Sequence, residues 1–242
     1  MLYTNKTKAQ YYDCDINNRL KISSAMQYMQ QTSSEQMEHV GISPGKLMQE
    51  DLVFLLSQSA IKIHRMPQAA EAINIITAAT AFRGARFVRE FAVETLAGER
   101  LLSASTLWLL VRPSDRKIIR PADFPYDIVL ENSFVPEEIS KISIPKKPEN
   151  IEPHKMTIPI YYSHLDCNRH VNNGMYGDFV CDMIDYNDMS TRGIDTIVVK
   201  FQNEAKLGDN IEIARYNLTN EEYYIDGKHS RANCFQAFLR LK

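Results

Sequence analysis

Eight of the ten prolines in this 242-residue chain fall between Pro113 and Pro159. Proline lacks a backbone N–H and fixes φ, so a stretch this rich in it cannot run through the middle of a sheet. Any extended sheet must lie on either side of it. The stretch also carries Phe124, Tyr126, Ile128, Val129 and Phe134. Such apolar anchors suit a connector laid along a surface rather than a disordered tether. The division expected is a first domain over 1–130, a linker over 131–154 and a second domain over 155–242.

The two flanks read in the same order. In the first, Leu2–Tyr12 alternates as a strand. A helix follows from about Ser24 to Val40, with Ser23 or Ser24 as its cap and Gly41 just past its end. Gly45–Asp51 reads as a short connection. Leu52–Met66, Ile73–Phe82, Phe87–Thr95 and Leu101–Val111 are rich in β-branched and aromatic residues and read as strands. In the second flank, Lys155–Tyr162 is a strand and Asn172–Tyr186 a helix. Its apolar stripe is Val171, Met175, Phe179, Val180 and Met183. Thr196–Asn203, Asp209–Asn217, Glu221–Asp226 and Ala232–Leu241 are its later strands. The fold class is therefore α+β, with one plan used twice. Residues repeat as well. Asp15-Ile16-Asn17-Asn18-Arg19 stands over Asp166-Cys167-Asn168-Arg169-His170 at an offset of 151. Ile73-Asn74-Ile75 stands over Ile211-Glu212-Ile213 at an offset of 138. The first flank thus holds 13 extra residues between those two points.

The chemistry concentrates in His164–Tyr176, HLDCNRHVNNGMY. Asp166, Asn168 and His170 are spaced i, i+2, i+4. In an extended segment they would share one face, about 6–7 Å apart per step, with Cys167 and Arg169 turned away. Asn172 or Asn173 suits the cap of the helix that follows. Backbone N–H groups at Val171, Asn172 and Asn173 would then be free to hold an oxyanion. A carboxylate, an amide and an imidazole converging there suit hydrolysis of an acyl group. The plainer alternative is a polar turn ahead of a helix. The first copy keeps Asp15 and Asn17 but has Arg19 at the place of His170 and Met66 at the place of Glu204. It carries the scaffold without the imidazole.

Other classes find little support. A formal net charge of −2 opposes bulk attraction to nucleic acid or an anionic membrane. The longest apolar runs, Leu52–Leu56 and Leu107–Val111, are strand-sized, so no membrane span is expected. Cys14, Cys167, Cys181 and Cys234 form no C-x-x-C pair and read as free thiols in a reducing compartment. The start, MLYTNKTKAQ, has no apolar run, so a cytoplasmic protein without a secretory signal is expected. His164, Asp166 and His170 do not make a tetrahedral metal set, and no metal or cofactor is expected. There is no G-x-S-x-G elbow, P-loop or G-x-G-x-x-G.

The pattern D-x-N-x-H-V-N-N-x-x-Y, from Asp166 to Tyr176, resembles the signature of the acyl-acyl carrier protein (acyl-ACP) thioesterases of plants and bacteria. That resemblance implies two tandem hot-dog domains, each an antiparallel sheet wrapped around a long helix. It implies hydrolysis of fatty acyl-ACP, releasing free fatty acid, with acyl carrier protein as partner. It assigns catalysis to Asp166, Asn168, His170 and a glutamate on a following strand, Glu204. Glu204 and His170 both remain open as the base, with Asp166 orienting His170 or Asn168. Plant relatives carry a cysteine directly after that glutamate. Ala205 stands here, so a cysteine nucleophile at that position is ruled out and water must attack directly. The acyl chain would lie in the first domain against Met26, Met29 and Phe54. Carrier proteins are acidic, so docking falls to a local basic cluster, Arg83, Arg86 and Arg89, with Arg192, Lys200 and Lys206 as a second choice. A homodimer stays open. An acyl-CoA thioesterase and a non-catalytic acyl-ligand sensor are the alternatives.

Overall fold

A computed structural model describes residues 1–242. They form two compact units. One comprises Met1–Leu20 and Gln27–Lys141, the other Lys21–Met26 and Ile142–Lys242. Within the proline-rich stretch, residues 131–141 group with the first unit and 142–153 with the second.

The first unit contains β1 (Tyr3–Lys8), most of α1 (Ile22–His39), α2 (Pro44–Gln49), β2 (Val53–Ile63), β3 (Ala72–Arg83), β4 (Arg86–Thr95), β5 (Arg100–Arg112), β6 (Lys117–Ile119) and α3 (Glu137–Lys141). Its strands run in the order β1-β3-β4-β5-β2, with β6 paired to β5. All the pairings within it are antiparallel. α1 lies on this sheet: Asn5 Nδ2 of β1 donates to Glu35 Oε2 at 2.6 Å, and Arg89 of β4 donates to Gln36. Two elements differ from the expected plan. The supposed connection after Gly45 is α2, started by Ser43, whose Oγ accepts from Lys46 N, with Pro44 in the first turn. Within the proline-rich stretch, Lys117–Ile119 adds a short strand, with Ile119 opposite Leu110.

The second unit contains β7 (His154–Pro159), α4 (Met175–Asp182), α5 (Tyr186–Thr191), β8 (Ile194–Phe201), β9 (Asn210–Asn217), β10 (Glu222–Lys228) and β11 (Asn233–Leu241). Its strand order, β8-β11-β10-β9-β7, repeats β2-β5-β4-β3-β1 of the first unit. The first turn of α1 belongs here too, where Ser23 Oγ donates to Asp178 Oδ2 at 2.7 Å. The single helix expected over 172–186 is two short ones. Asn172 turns the chain first, its Oδ1 accepting from Gly174 N, and Asp185 breaks it again with extended dihedrals. α1 has 18 residues against 8 in α4, and this helix length accounts for most of the 13-residue excess of the first copy. No helix is long and apolar enough to cross a membrane.

The core beneath α4 is aromatic. Tyr176 meets Phe201 and Phe235 edge-on, with ring centroids 5.6 and 5.2 Å apart. Phe235 in turn lies over Gly227, its partner across β10 and β11. A Cβ on Gly227 would stand 2.2 Å from the Phe235 ring. Gly227→Ala is therefore expected to lose about 1–3 kcal/mol through overpacking. Thermal unfolding checks this; an unchanged midpoint would mean that the ring moves aside freely.

Candidate active site

The stretch expected to be extended is a tight turn. Leu165 and Val171 pair as an isolated bridge. Between them Asp166 N donates to His170 O at 2.9 Å and Arg169 N to Asp166 O at 3.0 Å. Asp166 Oδ1 accepts from Asn168 N at 2.8 Å. Arg169 takes φ +65°, in the left-handed region. The cause is local: an aspartate side chain that captures the N–H two residues on offers the backbone a turn in place of a strand. Asp166, Asn168 and His170 therefore do not line one strand face, and Asp166 holds the turn rather than the imidazole. Asn168 is exposed, and its amide makes no side-chain hydrogen bond. Cys167 and Arg169 are exposed as well.

The first unit builds the same turn. Asp15 Oδ1 accepts from Asn17 N at 2.8 Å, Asp15 N donates to Arg19 O at 2.7 Å, and Asn18 takes φ +58°. Leu20 N then donates to Pro67 O at 2.8 Å, as Val171 N does to Ala205 O at 2.9 Å. Gln68 N meets Glu71 Oε2 and Lys206 N meets Asp209 Oδ2, each at 2.8 Å. The offsets of 151 and 138 seen in the sequence are thus offsets between hydrogen bonds.

What differs is the chemistry on this shared frame. His170 Nε2 lies 2.9 Å from Glu204 Oε2. The His170 side chain is 27% exposed and that of Glu204 49%, so the pair is open to solvent on one side. In the first unit Arg19 contacts its own Asp15, and Met66 replaces the glutamate. Glu204 is not on a strand. It follows β8 in the loop 202–209, whose neighbours are tied down closely. Gln202 N and Asn203 N both donate to Cys234 O, and Asn203 Nδ2 donates to Asn233 O. Arg231 Nη2 reaches Asp209 Oδ2 at 2.6 Å. Burial works against the charge of Asp209, yet the Lys206 N–H and the Arg231 guanidinium hold its pKa below the usual aspartate range. A lowered carboxylate pKa adds stability above its unfolded value and loses it as pH falls through the folded one. This anchor therefore stays charged at neutral pH. Burial also pushes the Tyr176 phenol up, so it remains protonated beside the Ala205 backbone.

Family comparisons agree with this frame. A model of the acyl-ACP thioesterase N-terminal domain matches residues 1–129, and one of the acyl-ACP thioesterase C-terminal domain matches 147–234. The chain belongs to the acyl-ACP thioesterase family. An oleoyl-acyl carrier protein thioesterase, chloroplastic, from Coriandrum sativum is 21% identical over 230 residues, covering 87% of this chain and 61% of that protein. The chain thus spans about three fifths of the length of that relative. The crystal structure of an acyl-ACP thioesterase from Bacteroides thetaiotaomicron superposes with a TM-score of 0.85 at 19% identity, covering 100% of this chain and 98% of that one. The 12:0-ACP thioesterase from Umbellularia californica gives 0.81 at 14%, covering 100% and 97%. These neighbours share the fold, the double hot-dog.

Within this acyl-ACP thioesterase frame, other expected site residues fall differently. Of the three N–H groups assigned to an oxyanion, Val171 N is bonded to Ala205 O and Asn172 N to His164 O at 2.9 Å. Only Asn173 N is left without a partner. Met26 and Met29 are buried, the first in the second unit and the second in the first. Phe54 belongs to an aromatic cluster, edge-on to Phe87 at 5.0 Å and Phe124 at 5.6 Å. Met37 packs on the same cluster, about 12 Å further along α1 than Met29.

Arg89 cannot dock a partner. It is 9% exposed and points at α1, where Nη1 donates to Gln36 Oε1, and it also donates to Thr77 Oγ1 of β3. Arg83 and Arg86 do close an exposed hairpin between β3 and β4, with Arg83 donating to Ser140 O and Oγ. In the second basic group, Arg192 is held by Asn220 O, Glu221 and the Lys242 carbonyl.

One residue beside Glu204 lies outside the sequence motif. His229 is buried, 7% exposed, and its Nε2 lies 3.2 Å from Glu204 O. Only strand register signals it, aligning it with Thr95 of the first copy.

Proposed function

We propose that this chain hydrolyses the thioester of fatty acyl-acyl carrier protein, releasing the fatty acid and the carrier thiol. The observation that carries the proposal is the His170–Glu204 contact of 2.9 Å, set in one copy of a frame whose other copy has Arg19 and Met66. Water attacks the carbonyl carbon while Glu204 takes its proton, and His170, 2.9 Å from Glu204, passes a proton to the departing sulfur. Such general acid–base assistance contributes about 10²–10⁴-fold. The Asn168 amide and the Asn173 N–H donate to the developing oxyanion. Asp166 keeps Asn168 and His170 in place by holding the turn. Met29 is a proposed wall for the acyl chain in the first unit, where Phe54 sits at a separate apolar cluster.

A sensor on this fold would need an acyl pocket but not an imidazole paired with a carboxylate, which favours the enzyme. Initial rates on acyl-ACP and acyl-CoA with the same acyl group test the reading. Turnover of both with higher kcat/KM for acyl-ACP is expected. No turnover of either ends it, and preference for acyl-CoA moves the substrate class. Docking through exposed Arg83 and Arg86 gives a further expected result. Surface charges act over about 8–10 Å at ordinary salt and mainly on encounter rate. Added salt should lower kcat/KM for acyl-ACP but barely touch a small neutral thioester, and Arg86→Glu should reproduce the high-salt value. An acyl-ACP rate indifferent to both would place docking elsewhere.

A further inference from the structure

We propose that His229 is a positioning residue for Glu204: its Nε2–H fixes the Glu204 backbone and thereby aims the carboxylate at His170. The inference rests on reading Glu204 and His170 as the reacting pair.

His229 sits where β10 turns toward β11. Its Nδ1 faces two backbone donors, Arg231 N at 3.1 Å and Ala232 N at 3.2 Å. A ring nitrogen that accepts from N–H groups carries no proton, so in the neutral ring the proton is on Nε2. That nitrogen lies 3.2 Å from the Glu204 carbonyl, which can only accept. Both ring nitrogens are therefore committed, as a buried imidazole requires. On either side of Glu204 the chain is already fixed: Asn203 through its N and Nδ2, Ala205 through its O to Val171 N. The bond from His229 is the one backbone tie of Glu204 itself.

The inert copy separates the two jobs of this side chain. Asn74 pairs with Glu94 in the first unit and Glu212 with Lys228 in the second, so Thr95 stands at the place of His229. Thr95 N donates to Glu99 O as His229 N donates to Ala232 O. Thr95 Oγ1 accepts from Glu99 N at 3.1 Å and so caps its hairpin as Nδ1 of His229 does. No hydrogen bond runs from Thr95 to Met66, whose carbonyl instead meets Arg65 Nη1 at 3.5 Å. Capping is common to both copies. The reach to residue 204 occurs only where that residue is a glutamate.

Two variants divide these jobs. His229→Thr supplies the residue that already caps the matching hairpin, and removes the reach. His229→Gln keeps an N–H near the position of Nε2. On fatty acyl-ACP, H229T is expected to lower kcat by about 10–100-fold, the scale of a misplaced reacting group, with KM within about twofold. H229Q should recover most of that loss. In a Glu204→Ala background H229T should cost nothing more, because no carboxylate is left to aim. Wild-type kcat in H229T, or the same fractional loss in both backgrounds, overturns the proposal. Nitrogen-15 shifts of His229 in the unmodified protein give a test independent of whether the variants fold. A fixed Nε2–H tautomer is expected, and the opposite tautomer overturns the proposal. If Glu204→Ala alone keeps full activity, the reacting-pair reading itself fails, a result distinct from those above.

Discussion

Replacing His170 or Glu204 with alanine should lower kcat on acyl-ACP by at least about 10²-fold, and replacing both should cost little more than the worse single change. The two side chains touch at 2.9 Å and are proposed to move one proton between them. Groups that act as a unit are strongly non-additive, since losing either disables both. The fold should survive all three variants. The first unit closes the same turn with Arg19 and Met66, so the turn needs neither reactive group. Steady-state kinetics with a thermal melt of each variant checks this. Near-normal turnover in one single variant removes that residue from the mechanism. Losses that multiply in the double variant mean that the two residues act separately. Asp166→Ala should behave differently, lowering the melting temperature along with kcat, because its carboxylate holds the turn as Asp15 does in the inert copy.

The second large effect concerns Arg89. Arg89→Glu should destabilise the first unit by at least about 3 kcal/mol, the scale of a buried charge left uncompensated. Arg89→Met should be neutral or stabilising. The guanidinium is buried with neutral partners, Gln36 and Thr77, and no carboxylate, and burial pulls its pKa down to about 10. It is still charged at neutral pH. Because a lowered base pKa means that the folded state sheds its proton first, the cost is present at neutral pH and is relieved only as pH rises past about 10. A carboxylate there would meet Gln36 and Thr77 without a counter-ion. An apolar side chain of similar length removes the charge while filling the space. Melting both variants at neutral pH tests the argument. If Arg89→Glu melts with the wild type, the guanidinium is in water after all.

Much of the architecture could be read from residues, for reasons that also explain the misses. Runs such as Ile73–Phe82 and Leu101–Val111 are β-branched, long and bounded by turn residues, so their strands emerge within about two residues. The helix over 172–186 failed because Asn172 and Asp185 favour local turns over helix continuation, and an apolar stripe does not report that competition. The same side-chain capture turned Asp166–His170 from a strand into a turn. Glu204 is legible only through the family resemblance, and the first copy, with Arg19 and Met66 at the matching places, fits that assignment. His229 is not legible there, since its match to Thr95 depends on hairpin register rather than on adjacent letters. Arg89 misled for a simple geometric reason. Arg83 and Arg86 sit at a hairpin tip, but three residues further along β4 the side chain meets α1.

The matched turns have a use in following motion. Leu20 N–H and Val171 N–H close equivalent turns, onto Pro67 O and Ala205 O. Their hydrogen-exchange rates form a paired clock within one molecule, with solvent, temperature and pH identical for both. Local opening of the reactive loop quickens Val171 alone, whereas opening of the whole fold quickens both together. A change that slackens the loop around Glu204 can in this way be told from one that weakens the protein as a whole, without reference to a second sample.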